Sequence, residues 1–186
     1  MCSNNHERKE VSNVSAREKA RGVRWLVLDV DGVLTDGRII LDGGDGEWKA
    51  FDVRDGQRLV LAAREGIRTV LLTGRSSRVV ERRAAELGVH RVFQGAHDKG
   101  EIMDLFFAEE SARPEETAYL GDDIVDLPAL RRVGLAAAVG DAVAEVQAAA
   151  DWIAAAPGGH GAVREFVEFI LVAQGRWDAA LAGFRR

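Results

Sequence analysis

The chain has 186 residues, 47% of them apolar and 30% charged, with a formal net charge of −5 and a single cysteine, Cys2. A chain of this length fits one domain that buries roughly 70% of the surface its unfolded form would expose, so a core needs neither metal nor disulfide. No apolar run approaches the ~18 residues of a membrane span, the acidic balance argues against a nucleic-acid partner, and a lone cysteine excludes a disulfide framework and fits a reducing, cytoplasmic setting.

Residues 1–22 contain no apolar h-region and read as a flexible tail rather than a signal peptide. Trp25 to Val30 is a short apolar run bounded by charged and glycine-rich sequence, which predicts a strand buried on both faces. Residues 38–41 and 47–51 flank Asp42-Gly-Gly-Asp-Gly46, the glycine-rich pattern of a β-hairpin turn. A helix is predicted over 55–64, closed by Gly66. Strands over 68–72, 91–94, 117–120 and 135–139 then alternate with helices over 76–87, 99–108, 127–133 and 161–174. This alternation predicts an α/β fold: a Rossmann-like, three-layer, mainly parallel sheet with its ligands beyond the carboxyl ends of the strands. No repeat or linker divides residues 23–175, and residues 176–186 read as a C-terminal tail.

The polar clusters follow the strands. Asp29 and Asp31 end the first strand two residues apart, so alternation sends both side chains the same way, and Gly32 lets the chain turn. Asp122, Asp123 and Asp126 follow a later strand. Two carboxylates ~4 Å apart repel by about 4 kcal/mol at an effective dielectric of ~20, so such a cluster needs a cation. Oxygen ligands with room for water and phosphate favour Mg²⁺. Any one of these aspartates alone reads as a helix cap or a solvated turn. Together with the Thr73 hydroxyl and the Lys99 ammonium, which suit phosphoryl oxygens, they point to phosphoryl transfer.

Asp29-Val-Asp-Gly-Val33, Thr73-Gly-Arg75, Lys99 and Gly121-Asp-Asp-Ile-Val-Asp126 resemble the four motifs of haloacid dehalogenase phosphatases. The run Asp29 to Gly37, Phe51-Asp-Val-Arg-Asp-Gly56, Gln94-Gly95 and Gly158-Gly-His-Gly-Ala-Val-Arg-Glu165 further resemble the 3-deoxy-D-manno-octulosonate 8-phosphate phosphatase subfamily. The same group includes phosphatases of nonulosonate (sialic-type) 9-phosphates.

The resemblance implies a β-hairpin insertion in place of a cap domain. It also implies hydrolysis of a sugar-acid phosphate through an aspartyl phosphate, serving lipopolysaccharide precursor synthesis. Asp29 would be the nucleophile and Asp31 the acid and base, with Thr73 and Lys99 holding phosphate. Asp29, Asp31 through its backbone carbonyl, and Asp122 would ligate Mg²⁺, supported by Asp123 and Asp126. The substrate would meet Asp31, Lys99, the segment Asp52, Val53, Arg54, Asp55 and Gly56, and also Val60, Gly74, Arg75 and Arg83. Arg83 equally reads as part of a solvated helix face with Arg78 and Arg82. In the family a homotetramer closes the open site with neighbouring hairpins and tails. The glycines around His160 suit a flexible gate reaching a neighbour's site, with His160 against the anionic substrate.

His6, His90 and His97 lack metal-ligand spacing and read as surface or capping residues. Trp48 suits contact with substrate or a neighbouring subunit, while Trp25 and Trp152, within apolar strands, read as core. Two rivals remain: a phosphorelay receiver, disfavoured because the aspartate pair comes on the first strand, and a catalytically silent oligomerisation module, disfavoured by the intact Asp29 and Asp31.

Overall fold

The computed structural model describes residues 15–44 and 46–185. A helix, α1, whose described part is residues 15–21, precedes the central strand. The chain continues through β1 (Trp25–Leu28), β2 (Ile40–Leu41), β3 (Glu47–Trp48), α2 (Val53–Arg64), β4 (Arg68–Leu72), α3 (Arg78–Leu87), β5 (Arg91–Phe93) and α4 (Lys99–Glu110). It closes through β6 (Thr117–Gly121), α5 (Leu127–Leu130), β7 (Leu135–Ala138), α6 (Ala144–Ala149), β8 (Trp152–Ile153), α7 (Ala162–Ala173) and α8 (Trp177–Ala182).

Six strands form one sheet in the order β5-β4-β1-β6-β7-β8, while β2 and β3 pair only with each other. Every pairing in the large sheet is parallel, so each connection must cross over a face, and the intervening helices do this. The apolar run of β1 is buried throughout because β4 lies on one edge, β6 on the other, and helices cover both faces. Helices α2, α3 and α7 pack together as one group, and α4, α5 and α6 as another. The predicted α/β fold is thus the observed one, with β1 inside the sheet between β4 and β6. No described helix is long and apolar enough to cross a membrane.

Local chemistry explains where the elements stop. The Asp52 carboxylate accepts the Arg54 N–H and starts α2; Gly66, at φ +82°, ends it in the left-handed region that glycine enters freely. Ser77 starts α3 and Gly88 closes it. Helix α5 is shorter than the predicted 127–133 because the Gly134 N–H is drawn to the Pro114 carbonyl at 2.7 Å, turning the chain into β7. The segment holding α6 and β8 is alanine-rich with little apolar periodicity; α6 is not predicted from sequence, whereas β8 is the apolar strand expected around Trp152.

Both predicted tails differ from the packing. Residues 1–14, with Cys2 and His6, lie outside the described residues. Residues 15–21, however, form a helix whose Ala16 and Ala20 are buried, and the Gln174 amide donates to the carbonyls of Ala20 and Val23. At the other end Trp177 packs on the core beneath the Arg58 guanidinium, 5.3 Å from its ring centroid. Small side chains in the described part of α1 and one indole in α8 dock these segments without a long apolar face.

Candidate active site

Asp29 continues β1 by one residue, its N–H donating to the Leu120 carbonyl at 3.1 Å, and this ladder bond aims its carboxylate beyond the sheet. Lys99 opens α4, where Asp98 accepts the N–H groups of Gly100 and Glu101 and fixes the first turn. Its ammonium lies 2.9 Å from Asp29 Oδ1 and 2.6 Å from Asp126 Oδ1. Burial works against the charged lysine, yet the two carboxylates outweigh it and hold its pKa above the ordinary value.

Asp126 is fully buried and saturated. Its Oδ1 also accepts the Tyr119 hydroxyl at 2.6 Å, and its Oδ2 accepts the N–H groups of Asp122 and Asp123 at 2.9 and 3.2 Å. Those donors fill the roughly four acceptor positions of a carboxylate. Asp126 therefore anchors Lys99 and the β6 turn. Asp123 is exposed and lies outside the close group of carboxylates; one of its oxygens caps the turn by accepting the Ile124 N–H at 2.7 Å.

Asp122 differs from both. Its Oδ1 is buried without a hydrogen-bond partner. Gly32, at φ +97°, passes so close that any Cβ would overlap the Asp122 carboxylate, and only glycine brings the first-strand loop against it. Carboxylate oxygens of Asp29, Asp122 and Asp126 all lie within 4.8 Å of one another. Burial pushes the Asp29 carboxyl up to about 6, against Lys99 and with a push from Asp126. Burial and the two neighbouring aspartates push Asp122 up to about 8. An orphaned buried oxygen beside a crowded carboxylate fits a hard divalent cation.

These shifts predict how the metal-free protein responds to pH. In the unfolded chain aspartates release their protons near pH ~4, whereas the folded site keeps them to about 6 on Asp29 and about 8 on Asp122. The native state binds the extra protons in that window, so stability falls as pH rises through it. Melting temperature in chelator is expected to drop by several degrees between pH ~5.5 and ~8, and to drop far less with Mg²⁺, which replaces the protons. A metal-free protein equally stable across that range would contradict the site's electrostatics.

Asp31 is held by Thr73 and Lys49. Thr73, buried at the end of β4, donates its hydroxyl to Asp31 Oδ2 at 3.4 Å and accepts the Arg75 N–H at 3.3 Å. Lys49, which follows β3, pairs its ammonium with Asp31 Oδ1, and the Arg75 guanidinium lies 3.4 Å from Glu47. The hairpin thus rests on the rim of its own chain's site. Lys49 and Glu47 are missed by sequence reasoning, since nothing local says where a hairpin swings.

The expected sugar-binding positions divide. Arg83 is half-buried, its guanidinium 5.7 Å from the Phe51 ring centroid, and a Cβ on Gly56 would overlap it. Its Nε is buried without a partner, so packing takes it off the solvated helix face. Val53 and Gly74 are exposed, Val60 packs against the core, and Arg54 is spent on Asp52, whose carboxyl its hydrogen bonds hold down to about 2. Asp55 departs most. It is buried, and its carboxylate accepts the N–H groups of Gly161 and Arg164 at 3.2 and 2.7 Å, capping α7 instead of lining a pocket.

The glycine segment before α7 is also no loose gate. The Gly159 N–H donates to the Val33 carbonyl and the Gly158 N–H to Asp141, both at 2.9 Å. A Cβ on Gly158 would overlap the Gly32 carbonyl, so these glycines serve close backbone approach. His160 stays exposed beside them, outside the carboxylate cluster. His90 lies 2.9 Å from Glu110 and His97 is exposed. Trp25 is core, and Trp152 stacks on Phe166 and Phe169.

Residues 46–134 match the model of the haloacid dehalogenase-like hydrolase family. The 3-deoxy-D-manno-octulosonate 8-phosphate phosphatase KdsC of Escherichia coli K12 is 41% identical over 162 residues, 87% of this chain and 86% of that protein. A probable YrbI family phosphatase from Pseudomonas syringae superposes with a TM-score of 0.90 at 42% identity, covering 93% of this chain and 98% of that one. The Moraxella catarrhalis 3-deoxy-D-manno-octulosonate 8-phosphate phosphatase, solved with magnesium, phosphate and KDO, gives 0.88 at 40% identity over 91% of this chain and 97% of that one. A carboxylate pair ending the central strand, a buried lysine and an acidic turn after β6, in a chain this similar, have one reading: the chain belongs to the haloacid dehalogenase-like hydrolases, in the family of 3-deoxy-D-manno-octulosonate 8-phosphate phosphatases.

Proposed function

We propose that this chain is a Mg²⁺-dependent cytoplasmic phosphatase that hydrolyses 3-deoxy-D-manno-octulosonate 8-phosphate to the free sugar acid and phosphate. The observation that carries the reading is the buried Asp29 carboxylate, 2.9 Å from the Lys99 ammonium and beside an Asp122 oxygen without a partner. Asp29, the Asp31 carbonyl and Asp122 would hold the metal, and Asp126 would support it indirectly by anchoring Lys99. Magnesium held there would supply positive charge to offset that of the phosphoryl group.

Asp29 attacks phosphorus, the bond to the sugar oxygen breaks, and Asp31 hands that alkoxide its proton. Asp31 then takes a proton from water as the water attacks the aspartyl phosphate, freeing phosphate and restoring Asp29. Lys99 and Thr73 hold the phosphoryl oxygens through both steps. Arg75 and Arg83 recognise the carboxylated sugar, an anion that an arginine fork grips in two places.

Arg75→Ala is expected to raise KM for the sugar-acid phosphate about tenfold or more, the loss of a charge-assisted hydrogen bond, and to leave KM for an aryl phosphate nearly unchanged. An equal rise on both would assign Arg75 to phosphate. The hairpin's Ile39, Ile40, Leu41 and Trp48 are each about half exposed or more. This apolar group supports closure of the assembly as a homotetramer with neighbours at the rim.

Phosphate release from a panel of sugar-acid phosphates tests the substrate. The eight-carbon ester should be turned over with the highest kcat/KM and not at all in chelator. A preference for a nonulosonate 9-phosphate would move the chain to the nine-carbon branch.

A further inference from the structure

Lys49 is set apart from the hairpin that carries it. Its neighbour Trp48 is 67% exposed, whereas the Lys49 side chain is 2% exposed. A buried ammonium is costly unless paired, and this one pairs with Asp31 Oδ1 and lies 3.8 Å from Glu47 Oε2. Thr73 donates to the other Asp31 oxygen. With a different donor on each oxygen, the plane of the Asp31 carboxylate is fixed. Lys99, the second buried ammonium, is committed to Asp29 and Asp126. Glu47 is in turn tied to Arg75, so the hairpin is fastened to the rim at two points.

We propose that Lys49 is the positioning residue of Asp31: the hairpin delivers it to orient the carboxylate that protonates the departing sugar oxygen. The inference rests on the phosphatase reading above. A sugar alkoxide leaves poorly without a proton, whereas an acidic phenol leaves without much help. Misalignment of Asp31 therefore matters in proportion to how badly the leaving group needs its proton.

The test is kcat/KM across phosphate esters running from the sugar ester through aryl esters of increasing leaving-group acidity. That ratio reports events only up to leaving-group departure. Lys49→Met is expected to lower it by about 10²-fold for the sugar ester and by under ~3-fold for the most acidic phenol, while Lys49→Arg stays near the parent across the series. If Lys49→Met does not fold, Lys49→Gln, which keeps a neutral donor, gives the same comparison with a smaller slope. A fall of equal size on every ester, or no fall at all, overturns the proposal, because a residue that only props the hairpin would not sense the leaving group. Absence of turnover in the parent would instead overturn the phosphatase reading.

Discussion

Asp29→Asn is expected to lower turnover by on the order of 10⁴-fold or more while leaving the fold intact. The amide matches the carboxylate in shape but cannot attack phosphorus. Burial already raises the Asp29 pKa to about 6, so the metal-free site tolerates a neutral group there. Lys99 keeps its partner Asp126 at 2.6 Å, and the Asp122 carboxyl loses a repulsive neighbour. The metal-free variant should therefore melt no lower than the parent. Phosphate release and a melting curve on the same preparation check both halves. Activity comparable to the parent would remove Asp29 from the covalent step.

The second large effect is expected far along the chain. Gly158→Ala places a Cβ against the Gly32 carbonyl, and neither backbone has room to give. One side is held by the hydrogen bond from the Gly158 N–H to Asp141 and by the bond from the Gly159 N–H to Val33, both 2.9 Å. The other side is the turn that carries Asp31. Overpacking of this kind costs about 1–3 kcal/mol, and a shift of ~1 Å in the catalytic loop lowers kcat by about 10²-fold. Gly183→Ala, with nothing within 4 Å of its Cβ, is the control. Parent-like melting and kinetics in Gly158→Ala would mean that the loop does not lean on this segment.

The two variants also mark what sequence reveals. Asp29, Asp31, Thr73 and Asp122 follow strand ends and Lys99 opens a helix, places where a parallel sheet puts its ligands, so pattern and topology together find them. Asp126 shares the acidic turn but has other work, because its saturation depends on Lys99, 27 residues away, as well as on nearby donors, and nothing local shows that the lysine arrives there. Asp55 sits in a motif that reads as substrate-binding, yet its partners are backbone N–H groups more than a hundred residues away. Gly158 and Gly159 look mobile in one dimension and are pinned in three. Lys49 is invisible for the same reason: its partner is fixed by how the hairpin folds back, and short strands of two residues each carry no signal of direction.

The covalent step is tested most directly by rapid acid quench of the enzyme during turnover of substrate labelled in its phosphate, followed by peptide mapping of the label. Label on the peptide containing Asp29, in an amount that rises in Asp31→Asn when the labelled ester carries an acidic phenol that departs without a proton from Asp31, is the predicted result. Rapid turnover with no protein-bound label, or label on any other residue, would contradict the account.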